Sequence, residues 1–122
     1  MTMKTLANDR SVREVSALTA AAALFRGLGD ANRLAILRHL ALGEHRVRDL
    51  TDHLGLAQST VSAHCRCLFD CGLISARAQG RSTVYSLAAP ELLELFVAAE
   101  RLLAVTGDAV ALCPVSGTQV AP

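Results

Sequence analysis

Two short amphipathic segments separated by a turn at Gly55 constrain the fold of this chain most strongly. The first predicted helix covers Val47 to Leu54, and the second covers about Gln58 to Cys71, where Gly72 ends it. Two helices joined by a few residues around a glycine are typical of a helix-turn-helix. The sequence therefore predicts this motif in the middle of the chain.

Two further helices are predicted before this motif. Apolar residues recur at steps of three and four from Ser11 to Leu28, which indicates an amphipathic helix ended by Gly27 and Gly29. Asp30 can then cap a second helix that continues to about Leu42.

The segments after the motif predict a hairpin and a last helix. Extended runs at Leu73 to Ala78 and Ser82 to Leu87 surround Gly80, which tolerates a turn conformation. Pro90 then opens an amphipathic helix. Helices, helix-turn-helix, hairpin and final helix in this order form a winged helix. The predicted fold class is therefore mainly α with a small β-hairpin.

The length of 122 residues allows one compact domain, and 52% apolar residues can form its core. We expect residues 1–10 to be a frayed, polar N-terminus and residues 11–106 to form the winged-helix domain. Residues 107–122 contain Gly and Pro at several positions and are expected to form a flexible tail.

Composition and charge narrow the classes of function. Aromatic residues make up only 3% of the chain, which disfavours nucleic-acid binding by stacked aromatic side chains. The net charge is +1, but residues 30–87 carry seven Arg against five acids, which permits DNA binding through the middle of the chain. The sequence shows neither a nucleophile-base arrangement nor a phosphate-binding glycine loop, so it gives little support for an enzyme.

The chain offers no secretion or membrane signal that we recognise. The longest apolar stretch, Ala17 to Leu28, is interrupted by Arg26. We expect a cytoplasmic protein, and in a reducing compartment clustered cysteines indicate metal binding or redox chemistry more often than structural disulfides.

The four cysteines divide by helical geometry. Cys65 shares an inward stripe with Val61 and Leu68, so we expect a small buried core residue. Cys67 and Cys71 are four residues apart and can converge on one ion.

Two thiolates lack a third ligand, and Cys113 in the tail is the remaining thiol that could supply it. A thiolate triad suits Cd(II), Pb(II) or As(III). His64, three residues before Cys67, could instead complete a Zn(II) site, although a position facing DNA is the favoured interpretation.

Several motifs in a fixed order carry a family resemblance. They are GDANRLAIL at residues 29–37, DL at 49–50, HLGL at 53–56, QSTVSAH at 58–64, CGLI at 71–74 and GR at 80–81. From about Leu24 to Leu87 the chain resembles the ArsR/SmtB family of metal-sensing repressors. The resemblance implies a homodimer formed by the first and last helices, which binds double-stranded operator DNA and releases it when metal binds.

The resemblance also implies a DNA-reading surface. The second helix of the motif would present short polar side chains to bases or phosphates, and the hairpin would add two arginines. Ordinary solvated polarity explains the same residue types. The predicted DNA-binding residues are Gln58, Ser59, Thr60, Ser62, His64, Arg77 and Arg81.

The N-terminus of this helix departs from the family pattern. Ala57 stands where the family often has a capping Ser or Thr, and it cannot accept the first amide hydrogen bonds. Ser59 could instead cap a slightly shortened helix.

The metal sites of other family members are absent, because residues 45–50 contain no thiol and no His follows His64. The thiols are most similar to those of CmtR-type cadmium and lead sensors, in which two helix cysteines four apart bind metal with a tail cysteine of the other protomer. This resemblance assigns Cys67, Cys71 and Cys113 as metal ligands, with Cd(II) or Pb(II) as inducer and As(III) or Zn(II) as weaker candidates. The alternative is a repressor that responds to thiol oxidation or to an organic effector.

Overall fold

The structure, a computed structural model, describes the backbone of residues 2–113 and the side chains of residues 10–113. Most of the predicted tail, residues 114–122, lies outside the described residues. The described part contains five helices and three strands. In chain order they are α1 Thr2–Leu28, α2 Ala31–Ala41, β1 His45–Arg46, α3 Val47–Leu54, α4 Gln58–Asp70, β2 Ile74–Gln79, β3 Ser82–Leu87 and α5 Glu91–Thr106.

This element order confirms the predicted fold, mainly α with a small hairpin. The strands β2 and β3 pair antiparallel across Gly80 from Gln79↔Ser82 to Ile74↔Leu87, and we call this hairpin the wing. The helices α3 and α4 form the helix-turn-helix, in which Gly55 ends α3 with a left-handed φ of 67°. We call α4 the recognition helix.

The junction between α1 and α2 is fixed by two residues. The Asp30 carboxylate accepts hydrogen bonds from the amides of Asn32 at 2.8 Å and Arg33 at 3.1 Å, which confirms it as the N-cap of α2. The Arg33 guanidinium reaches back and donates to the carbonyl of Gly27 at 2.8 Å and to that of Arg26 at 2.8 Å. One turn of α2 thus satisfies the carbonyl end of α1.

The structure differs from the sequence-based prediction at three places. Helix α1 begins at Thr2 rather than Ser11, so residues 2–10 continue the helix instead of fraying before it. A short strand, β1, pairs with β3 through His45↔Tyr85 and was not predicted. Helix α4 begins at Gln58 with Ala57 as an N-cap that has no side-chain hydrogen bond, so the expected shift of the cap to Ser59 is wrong.

The core lies between α2, α3, α4 and the first half of α5, beside the wing. It is mainly aliphatic, and Phe96 is the one aromatic residue among its buried described members, as the scarcity of aromatic residues predicts. Among the described side chains of α1, Leu24 and Leu28 near its end pack against the buried cluster. No helix within the described residues is long and apolar enough to cross a membrane. The buried apolar residues are Ile36, Leu37, Leu40, Leu50, Val61, Cys65, Leu68, Leu73, Ile74, Val84, Leu92, Phe96 and Cys113.

Candidate functional site

The recognition helix buries one face and leaves its thiol pair on a flank. Val61, Cys65 and Leu68 are fully buried. Burial raises the pKa of Cys65 to about 11, so its thiol stays protonated at neutral pH. The expectation that Cys65 is a core residue is confirmed.

Cys67 in this helix and Cys71, its C-cap, form a half-buried pair that we call the thiol pair. Burial raises the pKa of Cys71, and the neighbouring Cys67 thiol raises it further through its charge and a hydrogen bond. Arg33 acts in the opposite direction. Both sulfur atoms are free, so the pair offers two ligands on successive turns of one helix.

Cys71 also contacts the first helix of the fold. Its Sγ atom lies 3.7 Å from the carbonyl oxygen of Ala23 in α1, to which the thiol donates. The contact depends on Gly27, since a Cβ at this position would lie 3.4 Å from Cys71 Sγ and 3.3 Å from Leu73 Cδ1. A ligand bound to the Cys71 sulfur would therefore lie directly against α1.

Among the described residues, Cys113 does not form a three-ligand group with Cys67 and Cys71. It lies outside any helix or strand, is only 3% exposed and packs in the core cluster. Its apolar neighbour Leu112 is partly buried there as well, which accounts for the docking of this segment.

The described residues do contain one group of three potential metal ligands, and sequence reasoning missed it. His39, His45 and His53 place one ligand atom each within 4.8 Å of the others. The only sequence signal is that three of the four histidines fall within residues 39–53.

His64 is turned partly toward the protein. Its side chain is 17% exposed, and Nε2 lies 4.0 Å from Asp30 Oδ1. The residue thus links the recognition helix to the N-terminus of α2.

A polar cleft separates the helix-turn-helix from the wing. It has a volume of about 320 Å³ and is lined by residues from the start of α3, the first turns of α4 and strand β3. Its positive charge comes from three arginines, and its neutral hydrogen-bonding groups include an amide and a hydroxyl. The lining residues with these functions are Arg46, Arg48, Arg81, Gln58 and Ser62.

The remaining residues predicted to contact DNA lie around this cleft. Ser59 is exposed and Thr60 is half-buried. Arg77 in the wing is held by Glu44, whose Oε1 lies 2.9 Å from its Nη2. Arg81, at the tip of the wing, is exposed, and no carboxylate in the described part of the chain lies within 4.0 Å of it.

Helices α1 and α5 expose apolar side chains that the single chain does not cover. In α1, Val12, Val15 and Leu18 recur at three-residue steps and are 64%, 68% and 56% exposed. In the second half of α5, Leu102 and Val105 are also exposed. Several exposed apolar side chains on a helix are typical of a protein interface.

Comparison with known proteins extends these observations. Residues 30–76 match the family described as bacterial regulatory protein, arsR family. The chain is 37% identical over 92 residues to a probable mercury resistance operon repressor of Streptomyces lividans, covering 75% of this chain and 74% of the repressor. It is 44% identical over 70 residues to the regulator CmtR of Mycobacterium tuberculosis, but this match covers 57% of the chain and only 59% of CmtR.

Solved structures show the same fold. The NMR structure of the cadmium sensor CmtR from M. tuberculosis superposes with a TM-score of 0.52 at 44% identity, over 58% of this chain and 74% of the sensor. The homodimeric winged helix-turn-helix domain of Mb0332 from Mycobacterium bovis superposes with a TM-score of 0.67 at 31% identity, over 79% of this chain and 85% of that domain. The chain therefore belongs to the arsR family of bacterial regulatory proteins, which are transcriptional regulators and not enzymes.

Proposed function

We propose that this protein is a cytoplasmic homodimeric repressor that binds double-stranded operator DNA without metal and releases it when a soft metal ion binds the thiol pair. The observation that carries the proposal is the position of Cys71. Its sulfur is one of two neighbouring free thiols at the C-terminal end of the recognition helix and contacts α1. One atom therefore belongs both to the input site and to the contact between two helices.

The arginine-lined cleft supports the DNA interface. Guanidinium groups at Arg48 and Arg81 can bind phosphates, while Gln58 and Ser62 at the cleft and the neighbouring Ser59 and Thr60 offer hydrogen bonds to base edges. In this assignment Arg77 adds a weaker phosphate contact because Glu44 already neutralises part of its charge. His64 contributes mainly by holding the recognition helix on α2.

The exposed apolar faces support the homodimer. Helix α1 has 27 residues and is about 40 Å long. Among its described residues, those that pack near the core, such as Leu24, Gly27 and Leu28, lie close to its C-terminal end. A second copy would cover the face around Val15, together with the exposed end of α5. The homodimeric relative from M. bovis has the same fold.

The inducer is assigned by ligand chemistry and by the relatives. Thiolates favour soft ions, so Cd(II) and Pb(II) are the first candidates, with As(III) and Zn(II) as weaker ones. The cadmium sensor CmtR and the probable mercury operon repressor support a soft metal, and Hg(II) therefore belongs in the test.

The third ligand in this proposal is Cys113, supplied by the second protomer. Because Cys113 is buried in its own chain, it must leave the core to reach the thiol pair. Metal binding would thereby couple the tail, α1 and the recognition helix. A metal that shifts DNA affinity in this way needs a coupling free energy of about 1–3 kcal/mol.

The test is a titration of the protein–DNA complex with Cd(II), Pb(II), Hg(II), As(III) and Zn(II). DNA release is followed by fluorescence anisotropy, and thiolate-to-metal charge transfer by ultraviolet absorption. We expect Cys67→Ser and Cys71→Ser to abolish both signals and Cys113→Ser to weaken them. Cys65→Ala, which changes a thiol on the same helix, is the matched control and should keep the response.

Two outcomes would reject the metal assignment. Full metal response in both thiol-pair variants would show that the ligands lie elsewhere. Release of DNA by peroxide, with no response to any metal, would replace the proposal by the thiol-oxidation alternative.

A further inference from the structure

Three of the four histidines meet where α2, β1 and α3 come together. His39 lies in the last turns of α2, His45 opens β1 and His53 lies near the end of α3. One ligand atom from each residue lies within 4.8 Å of the other two. The tertiary fold creates this group, because its members belong to three separate elements.

The three rings are packed against each other. The rings of His39 and His53 are stacked, with centroids 4.8 Å apart and planes 12° apart. The ring of His45 meets both at steep angles, 67° to His39 and 73° to His53. His39 and His53 thus lie in nearly parallel planes, and His45 presents its ring across their edges. A shared ion therefore requires the two stacked rings to rotate toward a common point.

The orientation of His45 is fixed by a backbone hydrogen bond. Its Nδ1 lies 2.8 Å from the carbonyl oxygen of Gly43, so this nitrogen carries the proton and donates it. Nε2 then keeps its lone pair. A histidine that ligates a metal commonly has a backbone carbonyl on its other ring nitrogen, because this contact fixes the tautomer and the ring direction.

The loop that carries this carbonyl requires a glycine. Gly43 has a φ of 147°, a conformation that other residues rarely adopt, and a Cβ there would meet nothing within 4 Å. Backbone conformation, rather than crowding, therefore explains the glycine. This turn brings the chain from the end of α2 back to His45.

His39 and His45 are half-buried in this group. His53 is exposed, so an ion can reach the group from solvent.

We propose that His39, His45 and His53 bind one zinc ion per protomer, with water as the fourth ligand, at a site separate from the thiol pair. Three imidazoles and a water are a common tetrahedral zinc environment. With Zn–N distances of about 2.0–2.1 Å, tetrahedral ligand atoms lie about 3.4 Å apart, so the side chains must move inward on binding.

The expected consequence is a stabilised helix-turn-helix. His53 is two residues before Gly55, the turn between α3 and the recognition helix. Zinc would tie this end of α3 to α2 and to β1, the strand that pairs with the wing. An ion that binds only the folded chain raises its melting temperature by mass action.

The test begins with a Cys67→Ser/Cys71→Ser/Cys113→Ser variant, which removes thiol competition for zinc. We expect this full-length variant to bind one zinc ion per protomer in competition with a chromophoric chelator, and zinc to raise its melting temperature. Adding His53→Asn should weaken zinc affinity by at least about tenfold and remove the rise, since even outer partners of a ligand contribute that much. His53 is exposed, so the substitution leaves the core intact.

His64→Asn is the matched control, because it removes the one histidine outside the group and should leave zinc affinity unchanged. Histidine ring ¹⁵N spectra add a structural readout, in which three rings shift with zinc and that of His64 does not. Equal zinc affinity in the His53→Asn variant, or equal loss in the His64→Asn variant, would overturn the proposal. Metal-induced DNA release in the parent protein tests the thiol pair separately, so either proposal can fail alone.

Discussion

The thiol of Cys71, one residue beyond the recognition helix, donates to the carbonyl oxygen of Ala23 in α1, with 3.7 Å between the two atoms. This contact joins the helix proposed to read DNA to the helix proposed to form the dimer. It also lies beside Gly27, whose lack of a side chain allows the approach.

A larger side chain at Gly27 should separate these helices. In Gly27→Val the added atoms would collide with Leu73 and Cys71, because even a Cβ would lie within 3.3–3.4 Å of their side chains. We expect a loss of about 1–3 kcal/mol in the free energy of unfolding, measured by urea denaturation. Ala20→Val, at an exposed position of the same helix and away from the Val15–Leu18 face, should change it much less.

A charge on the apolar face of α1 should prevent dimer formation. Leu18→Glu would place a carboxylate among Val15 and the other exposed apolar residues, and burial of this charge against a second copy is unfavourable. We expect a monomer by analytical ultracentrifugation and weaker DNA binding. Leu42→Glu alters a leucine that is similarly exposed but lies after α2, and it should remain dimeric; a Leu18→Glu dimer would contradict the assignment.

Loss of the wing-tip arginine should weaken DNA binding through phosphate contacts. For Arg81→Ala we expect lower affinity on all sequences and a decrease of about one in the slope of log K against log salt. Fluorescence anisotropy at several salt concentrations measures both. Arg101→Ala removes an exposed arginine from α5, and an equal effect there would indicate a general loss of positive charge.

The cap of α2 should make the stability of the protein sensitive to acid. Hydrogen bonds from the Arg33 and Asn32 amides, with the charges of His64 and Arg33, hold the pKa of Asp30 below 3.8 despite partial desolvation. The carboxylate therefore stabilises the fold above about pH 4, and this contribution is lost as the pH falls through the lower folded-state pKa. Asp30→Ala should lose about 1 kcal/mol at pH 7.

Asp30→Asn separates the capping hydrogen bonds from the ionisation of the carboxylate, because asparagine is also a good N-cap but does not ionise. We expect it to keep most of the stability at pH 7 and to show a smaller decrease between pH 4 and pH 2. Thermal unfolding followed by circular dichroism measures this difference. An unchanged acid dependence would exclude Asp30 as its source.

The buried thiol of Cys65 should make the protein sensitive to alkali. Its pKa is about 11 in the folded protein against 9.0 for an unperturbed thiol, so above pH 9 the unfolded chain loses this proton first. The stability that the protonated thiol provides below pH 9 is then lost progressively as the pH approaches 11, by roughly 2–3 kcal/mol. Urea denaturation should show that the free energies of unfolding of the parent and of Cys65→Ala converge between pH 9 and pH 11. A constant difference between the two proteins over this range would contradict the effect.

Local signals explain which parts of the fold could be predicted. Helix α3 is predictable at Val47–Leu54 because the segment has an amphipathic pattern and Gly55 follows it directly. Strand β1 was missed because two residues carry no periodicity, and it exists only through its pairing with β3. Helix α4 begins after Ala57 without a capping side chain, because the packing of Val61 and Leu68 in the core stabilises the helix.

In the candidate site, too, local features are predictable from the sequence and features that depend on distant segments are not. Helical periodicity predicts Cys65 inside and Cys67 beside Cys71, because the first two lie in α4 and Cys71 is its C-cap. The burial of Cys113 and the meeting of His39 with His53 depend on how separate segments pack, for which the sequence has no local signal.

The close approach at Gly27 limits where an ion can enter. Cys71 Sγ is already in contact with the backbone of α1, 3.7 Å from the Ala23 carbonyl oxygen. A zinc–sulfur bond is about 2.3 Å long, so no ion fits between the two atoms. An ion on this sulfur must therefore approach from the side of Cys67 or push α1 outward. Because Gly27 has no side chain, the position of α1 depends directly on what occupies the space at the Cys71 sulfur.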